Sequence, residues 1–246
     1  MKNLIFCSYA YVAGLKSSTE KNQPNSSEKI LTYLKCCVVS LVSAKTRNPG
    51  SDVALVTNID VPNAIINILK ANKIILLYKE FDSFRFESSI QWSLAFYKLC
   101  VLKYVVENFD YDNYLLVDSD TYFISEIKDL WTEAEYHILL LDLAHNLSIS
   151  QTQNMNNEYM DLYKEKKFLL NYGGEFICGN RSQLKHFIKE CQRIHEDMIS
   201  SSVITKHGDE FIICIAAERN KDIVKNAAAY VSRYWTGRFY LVSTNY

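Results

Sequence analysis

The chain has 246 residues, 48% hydrophobic and 22% charged, with a formal net charge of -1; that is enough to bury a sizeable core in one large domain and too near neutrality to draw nucleic acid. Seven glycines and three prolines exclude a repeat-rich β-protein and a disordered chain. Seven cysteines with no Cys-x-x-Cys spacing exclude a zinc ribbon and read as buried free thiols in a reducing, cytoplasmic compartment.

Taken in chain order, short apolar runs alternate with helical patterns. Residues 4–7 predict a buried strand ending at Ser8-Tyr9. The apolar run after Lys2 is too short and too polar for a signal peptide. No stretch reaches the length of a membrane-crossing helix, which leaves room for peripheral membrane contact. A polar tract, 17–27, follows. Ser26-Ser27-Glu28 opens a helix to about residue 45, stopped by Asn48-Pro49-Gly50. A strand at 53–57, a helix from Pro62 to about 72 and a strand at 74–78 come next. Helical periodicity covers 92–107, and a fourth strand 114–117. The second half predicts a strand at 137–141, a Gly-flanked strand at 172–179, a helix at 182–198 capped by Ser182, and a helix at 209–220. A hairpin pairs 229–234 with 239–243 around Thr236-Gly237. This order implies βαβ units: an α/β fold with a mostly parallel central sheet flanked by helices and a mixed C-terminal half.

The chemistry centres on Tyr114-Leu115-Leu116-Val117-Asp118-Ser119-Asp120, an apolar strand that ends in two carboxylates one residue apart. Ligands of open α/β sheets bind beyond the carboxyl ends of the strands. Two close carboxylates repel and favour a shared divalent cation, Mn²⁺ or Mg²⁺, which in turn can hold a phosphate. Asp110-Tyr111-Asp112 has the same spacing but lies among Asn108, Phe109 and Asn113, so it reads as turn chemistry. Asp118 and Asp120 are therefore the metal candidates.

Other candidates follow from position. Ser8, Tyr9 and Tyr11 lie after the first strand, where a base and ribose would sit; a tyrosine there either stacks on the base or lines the core. Lys98 either sets its ammonium on a phosphate or is a solvated helix lysine. Asp209 and Glu210, at a helix start after Gly208, either stabilise the helix dipole or contact a sugar and activate an acceptor hydroxyl. Glu175 is the rival carboxylate, beside Gly173 and Gly174, whose backbone a ligand can approach closely. His207 is read as a surface-loop histidine in preference to a third metal ligand. Arg233, Trp235 and Arg238 either close over a diphosphate or are solvated tail residues.

The segments Trp92-Ser93-Leu94-Ala95-Phe96-Tyr97-Lys98-Leu99 and Asn113 to Thr121 resemble the family 8 glycosyltransferases and their relatives of GT-A fold. Asn171-Tyr172-Gly173-Gly174-Glu175-Phe176-Ile177 resembles the family's acceptor-facing Asn-x-Gly strand, and Gly208-Asp209-Glu210-Phe211 its Asp-Gln-Asp segment. Lys98 stands where family 8 usually has Arg. The late His-x-x-Gly-x-x-Lys-Pro-Trp, whose His is a third metal ligand, is absent. The resemblance therefore points to a neighbouring GT-A family and leaves the third ligand unassigned.

What it implies is one GT-A (Rossmann-like) domain over 1–246, with a nucleotide-sugar-binding half at 1–122 and an acceptor-side half at 123–246. The implied activity is a metal-dependent, hexosyltransferase-type reaction from a nucleotide sugar, expected to be a UDP-sugar, to a glycan or lipid-linked acceptor. Ser8, Tyr9, Tyr11, Lys98, Asp118, Ser119, Asp120, Gly174 and Arg233 would bind the donor; Asp209, Glu210 and Glu175 would act in catalysis. Two alternatives remain. A haloacid dehalogenase-like phosphatase also places Asp-x-Asp after a strand, but Thr121 comes one residue early and Ile213 fills the later Asp position. The other is a nucleotide-sugar-binding module without turnover.

Overall fold

Alternation of buried side chains decides how the strands stack. In the computed structural model, residues 1–15, 26–86, 90, 92–144 and 149–234 are described. Within them β1 (Asn3–Tyr9), β2 (Asp52–Thr57), β3 (Ile75–Tyr78) and β4 (Asn113–Val117) are linked by α1 (Ser26–Arg47), α2 (Asn63–Ala71) and α3 (Tyr97–Asn108). After β4 come α4 (Lys128–Ala134), β5 (Ile138–Asp142), α5 (Ile149–Tyr163), β6 (Tyr172–Asn180), α6 (Arg181–Ser200), α7 (Asp209–Arg219) and β7 (Val224–Asn226).

The seven strands form one sheet in the order β3-β2-β1-β4-β6-β5-β7. The β3–β2, β2–β1, β1–β4 and β5–β7 pairs are parallel. Only β6 runs the other way, antiparallel to both β4 and β5. The expected α/β fold with a mostly parallel sheet is thus what the chain adopts.

Side chains of successive strand residues point to opposite faces. Leu4 and Phe6 of β1, with Tyr114 and Leu116 of β4, pack on one face against α3, α6 and α7. Ile5, Cys7, Leu115 and Val117 pack on the other against α1, α2 and α4. Both faces are covered, so these strands read as continuous apolar runs. Each buried large side chain contributes roughly 1.5–3 kcal/mol by leaving water. All seven cysteines are free thiols; Cys7 and Cys37 approach to 3.6 Å. Among the described residues no helix is long and apolar enough to cross a membrane.

Several local expectations need correction. The helix expected from Trp92 begins only at Tyr97; residues 92–96 form turns, and Trp92 has a φ of 68°. The cap of α6 is Asn180, whose side chain accepts from the Gln183 N–H at 2.9 Å, not Ser182. Residues 229–234 are turn and irregular chain; the edge strand there is β7, five residues earlier, and 239–243 lie outside the described residues. Helices α4 and α5 were not expected. In α5 a polar sequence hides a buried stripe of Met155, Tyr159 and Leu162 at helical spacing.

Candidate functional site

Strand direction assembles the site. Parallel β1 and β4 bring Ser8-Tyr9 and Asp118-Ser119-Asp120 to one edge of the sheet. Because β6 is antiparallel, its beginning arrives at that same edge: Phe176 pairs with Val117, and the Asp118 N–H donates to the Glu175 carbonyl at 3.1 Å. Helices α3 and α7 start there too, which delivers Lys98, Asp209 and Glu210. Asp110 and Asp112 lie at the far end of β4, where the Asp112 carboxylate accepts from the Lys2 N–H at 2.7 Å and Asp110 pairs with Arg181. The two Asp-x-Asp pairs therefore occupy opposite ends of one strand.

A cavity of about 470 Å³ occupies the edge. It is lined by Ser8, Tyr9, Tyr11, Lys98, Asp118, Ser119, Asp120, Glu175, Asp209, Glu210 and Arg233, all named from sequence. Gly174 does not line it; it lies behind the charged groups. A Cβ there would sit 2.2 Å from Asp209 Oδ2 and 3.0 Å from Lys98 Nζ, so only glycine lets these side chains close onto the strand. Trp235 and Arg238 lie outside the described residues.

Lys98 is the hub. Its ammonium lies 3.2 Å from Asp118 Oδ1 and 3.4 Å from Asp209 Oδ2. It is no solvated helix lysine: its side chain is 17% exposed. Burial pulls its pKa down, but Asp118, Asp209 and Glu175 outweigh that and hold it above the ordinary lysine value. The carboxylates respond to the same crowding. Burial raises Asp209, with Lys98 opposing and Asp118 reinforcing. Burial raises Glu175, which Arg233 and Lys98 oppose; Arg233 Nε stands 3.0 Å from Glu175 Oε1 without hydrogen-bond alignment. Glu210 is pushed up to about 8, by burial first and then by Asp209 and Glu175.

Gly208 makes the entry to α7. Its backbone (φ 61°, ψ -144°) belongs to a region essentially reserved for glycine. A Cβ there would meet Trp92 Cβ at 3.1 Å. The loop before it is pinned by Glu158 of α5, which accepts from the Thr205 hydroxyl at 2.7 Å and the Lys206 N–H at 3.2 Å. His207 is not a surface-loop residue: it lines the cavity with its side chain 16% exposed, its Nε2 3.8 Å from Glu158 Oε1. Burial lowers its pKa, and Glu158 opposes.

Sequence reasoning missed several contributors. Tyr33 of α1 stacks on Tyr9, ring centroids 5.4 Å apart and planes within 16°. Asn58, just after β2, holds both backbone groups of Tyr11: its Oδ1 accepts from the Tyr11 N–H and its Nδ2 donates to the Tyr11 carbonyl, each at 3.0 Å. Lys29 and Trp92 also line the cavity. An asparagine at a strand end was the available signal for Asn58; nothing in α1 marked Tyr33 except its place one turn beyond Lys29.

The donor set for a cation is the Asp118–Asp120 pair. Among the described residues no group of three or more His, Cys, Asp or Glu is arranged to hold a metal. Two carboxylates with open positions suit Mg²⁺ or Mn²⁺, which commonly take one or two carboxylates plus substrate phosphates. Burial and the neighbouring Asp118 raise the Asp120 pKa, and Lys98 and Arg233 oppose them. Asp118, whose Oδ1 is 3.2 Å from Lys98 Nζ, and Asp120 are the carboxylates that could hold such an ion.

No family model matches the sequence, and no curated protein matches it. Among solved structures, the fold is similar to that of the glycosyltransferase GlyE in Streptococcus pneumoniae TIGR4, with a TM-score of 0.53 and 10% identity over 92% of this chain. The chain spans 45% of the length of that structure. At that identity the likeness carries the fold, which this chain shares with a glycosyltransferase.

Proposed function

We propose that this chain is a metal-dependent glycosyltransferase that moves a sugar from a nucleotide-sugar donor, a UDP-sugar, to a glycan or lipid-linked acceptor. One observation carries the reading. The cavity at the sheet edge combines an aspartate pair suited to a cation, a buried ammonium, and three further carboxylates drawn from β6 and α7. Similarity of fold to a glycosyltransferase supports it.

In this reading the tyrosines on the β1 side hold the base, with Tyr9 backed by Tyr33 and Tyr11 fixed by Asn58. Asp118 and Asp120 would hold the ion, which when bound supplies Lewis-acid neutralisation of the diphosphate. Lys98 adds a fixed positive charge beside them and Arg233 a second, both oriented by carboxylates. Asp209, Glu210 and Glu175 face the sugar and the acceptor. A carboxyl with a pKa near the working pH is suited to moving a proton, and Glu210 at about 8 meets that condition.

Calorimetric titration of UDP with Mn²⁺ and then with EDTA tests the reading. Binding that needs the ion is expected. Asp118→Asn and Asp120→Asn are each expected to weaken that binding at least about tenfold, the effect of losing roughly 1.4 kcal/mol, and to leave circular dichroism unchanged. UDP binding that is indifferent to EDTA and to both substitutions would sink the assignment.

A further inference from the structure

The acids of the cavity do more than surround a substrate; they limit its charge. Asp209 is 3% exposed, yet its Oδ2 has no hydrogen-bond partner, its approach to Lys98 being 3.4 Å. Glu175 Oε1 is likewise buried and without a hydrogen-bond partner, the Arg233 guanidinium at 3.0 Å being out of line with it, and Glu175 lines the same cavity. Each of these two oxygens has a cation beside it but no aligned hydrogen bond, so each gains from a ligand that donates one. Sugar hydroxyls donate; a carboxylate cannot.

The cations do not reverse that preference. Lys98 is engaged by Asp118 and Asp209, and Arg233 by Glu175. Of the other lysines on the wall, Lys29 belongs to α1 on the β1 side, one turn before Tyr33, and Lys206 is exposed.

We infer that the sugar moved by this chain is an uncharged, hydroxyl-rich ring, a neutral hexose or N-acetylhexosamine, and that the β6–α7 side of the cavity rejects uronic acids. The inference rests on the nucleotide-sugar reading of the site and deepens it. A ring carboxylate brought against Asp209 and Glu175 has to compete with them for Lys98 and Arg233, the cations they already hold, and is repelled by both acids as it does so.

The test compares matched donors in the presence of Mn²⁺: UDP-glucose with UDP-glucuronic acid, and UDP-galactose with UDP-galacturonic acid, with UDP alone as reference. At least one neutral donor is expected to bind more tightly than UDP. Each uronic acid is expected to bind at least about tenfold more weakly than its neutral match. In Asp209→Asn, with circular dichroism as the control of folding and both donors of a pair measured on the same variant, that ratio is expected to shrink severalfold. A uronic acid that binds as tightly as its neutral match, while UDP binds, overturns this inference alone. Failure of UDP itself to bind overturns the nucleotide-sugar reading and the inference with it.

Discussion

Lys98 carries the charge balance of the site. Its ammonium is shared between Asp118, about a third exposed, and Asp209, almost fully buried. Removing one partner of a buried ion pair leaves an uncompensated charge, at about 3–5 kcal/mol when both are fully buried. With Asp118 part-solvated, Lys98→Met is expected to cost about 2–3 kcal/mol in chemical denaturation. The double variant Lys98→Met, Asp209→Asn should recover about half, because it removes the charge that was stranded. A second consequence concerns pH. Glu210 has its pKa raised from 4.5 to about 8 in the folded chain. The folded state therefore holds that proton more tightly than the unfolded one. Its stabilising contribution is complete below about 4.5 and is lost as pH rises through about 8. Asp209, Asp120 and Glu175, also raised, add slope of the same sign. Glu210→Gln is expected to flatten melting temperature against pH across that window and to raise it by about 2–4 °C at pH 8, the effect of roughly 1 kcal/mol in a chain of this size. The candidate acids were legible because strand ends and helix starts are visible as patterns. Asn58 and Tyr33 were not, since each acts through a neighbour far away in sequence.

At the scale of elements, α7 and the turn before α3 depend on each other. Gly208 adopts a conformation that other residues reach only with strain, and its missing side chain leaves room for Trp92. Trp92 in turn has a positive φ and opens a run of turns, not a helix. Gly208→Ala combines a strained backbone, about 1–3 kcal/mol, with a 3.1 Å contact that Trp92 must yield to. It is expected to lower stability by at least about 2 kcal/mol and to quench or shift tryptophan fluorescence as the ring moves. The early start expected for α3 came from reading hydrophobic spacing alone. Leu94, Tyr97 and Leu102 do repeat with a helical period, but periodicity says nothing of the positive φ at Trp92 or of its packing against Gly208, more than a hundred residues away in sequence. The same limit hid α5, where three buried residues are diluted among asparagines and glutamines.

For the whole molecule, the parallel half of the sheet was legible because strand and helix alternate there. The reversal of β6 was not, because a strand's own residues do not state the direction of its partners. That reversal has a consequence for how such a chain can be divided. In a sheet that grew by parallel addition alone, a first half could carry a binding edge and a second half could be attached or exchanged as a module. Here the returning strand lays Glu175 against Asp118, and the wall is completed by Asp209 of α7 and by Arg233 near the end of the described chain. A fragment that ended just after Asp120 would keep the aspartate pair but lose Glu175, Asp209 and Arg233, the partners from later in the chain that help set its charge and enclose it. The cavity is therefore a property of the chain from β1 to Arg233: its two sides are woven through each other, and neither encloses it alone.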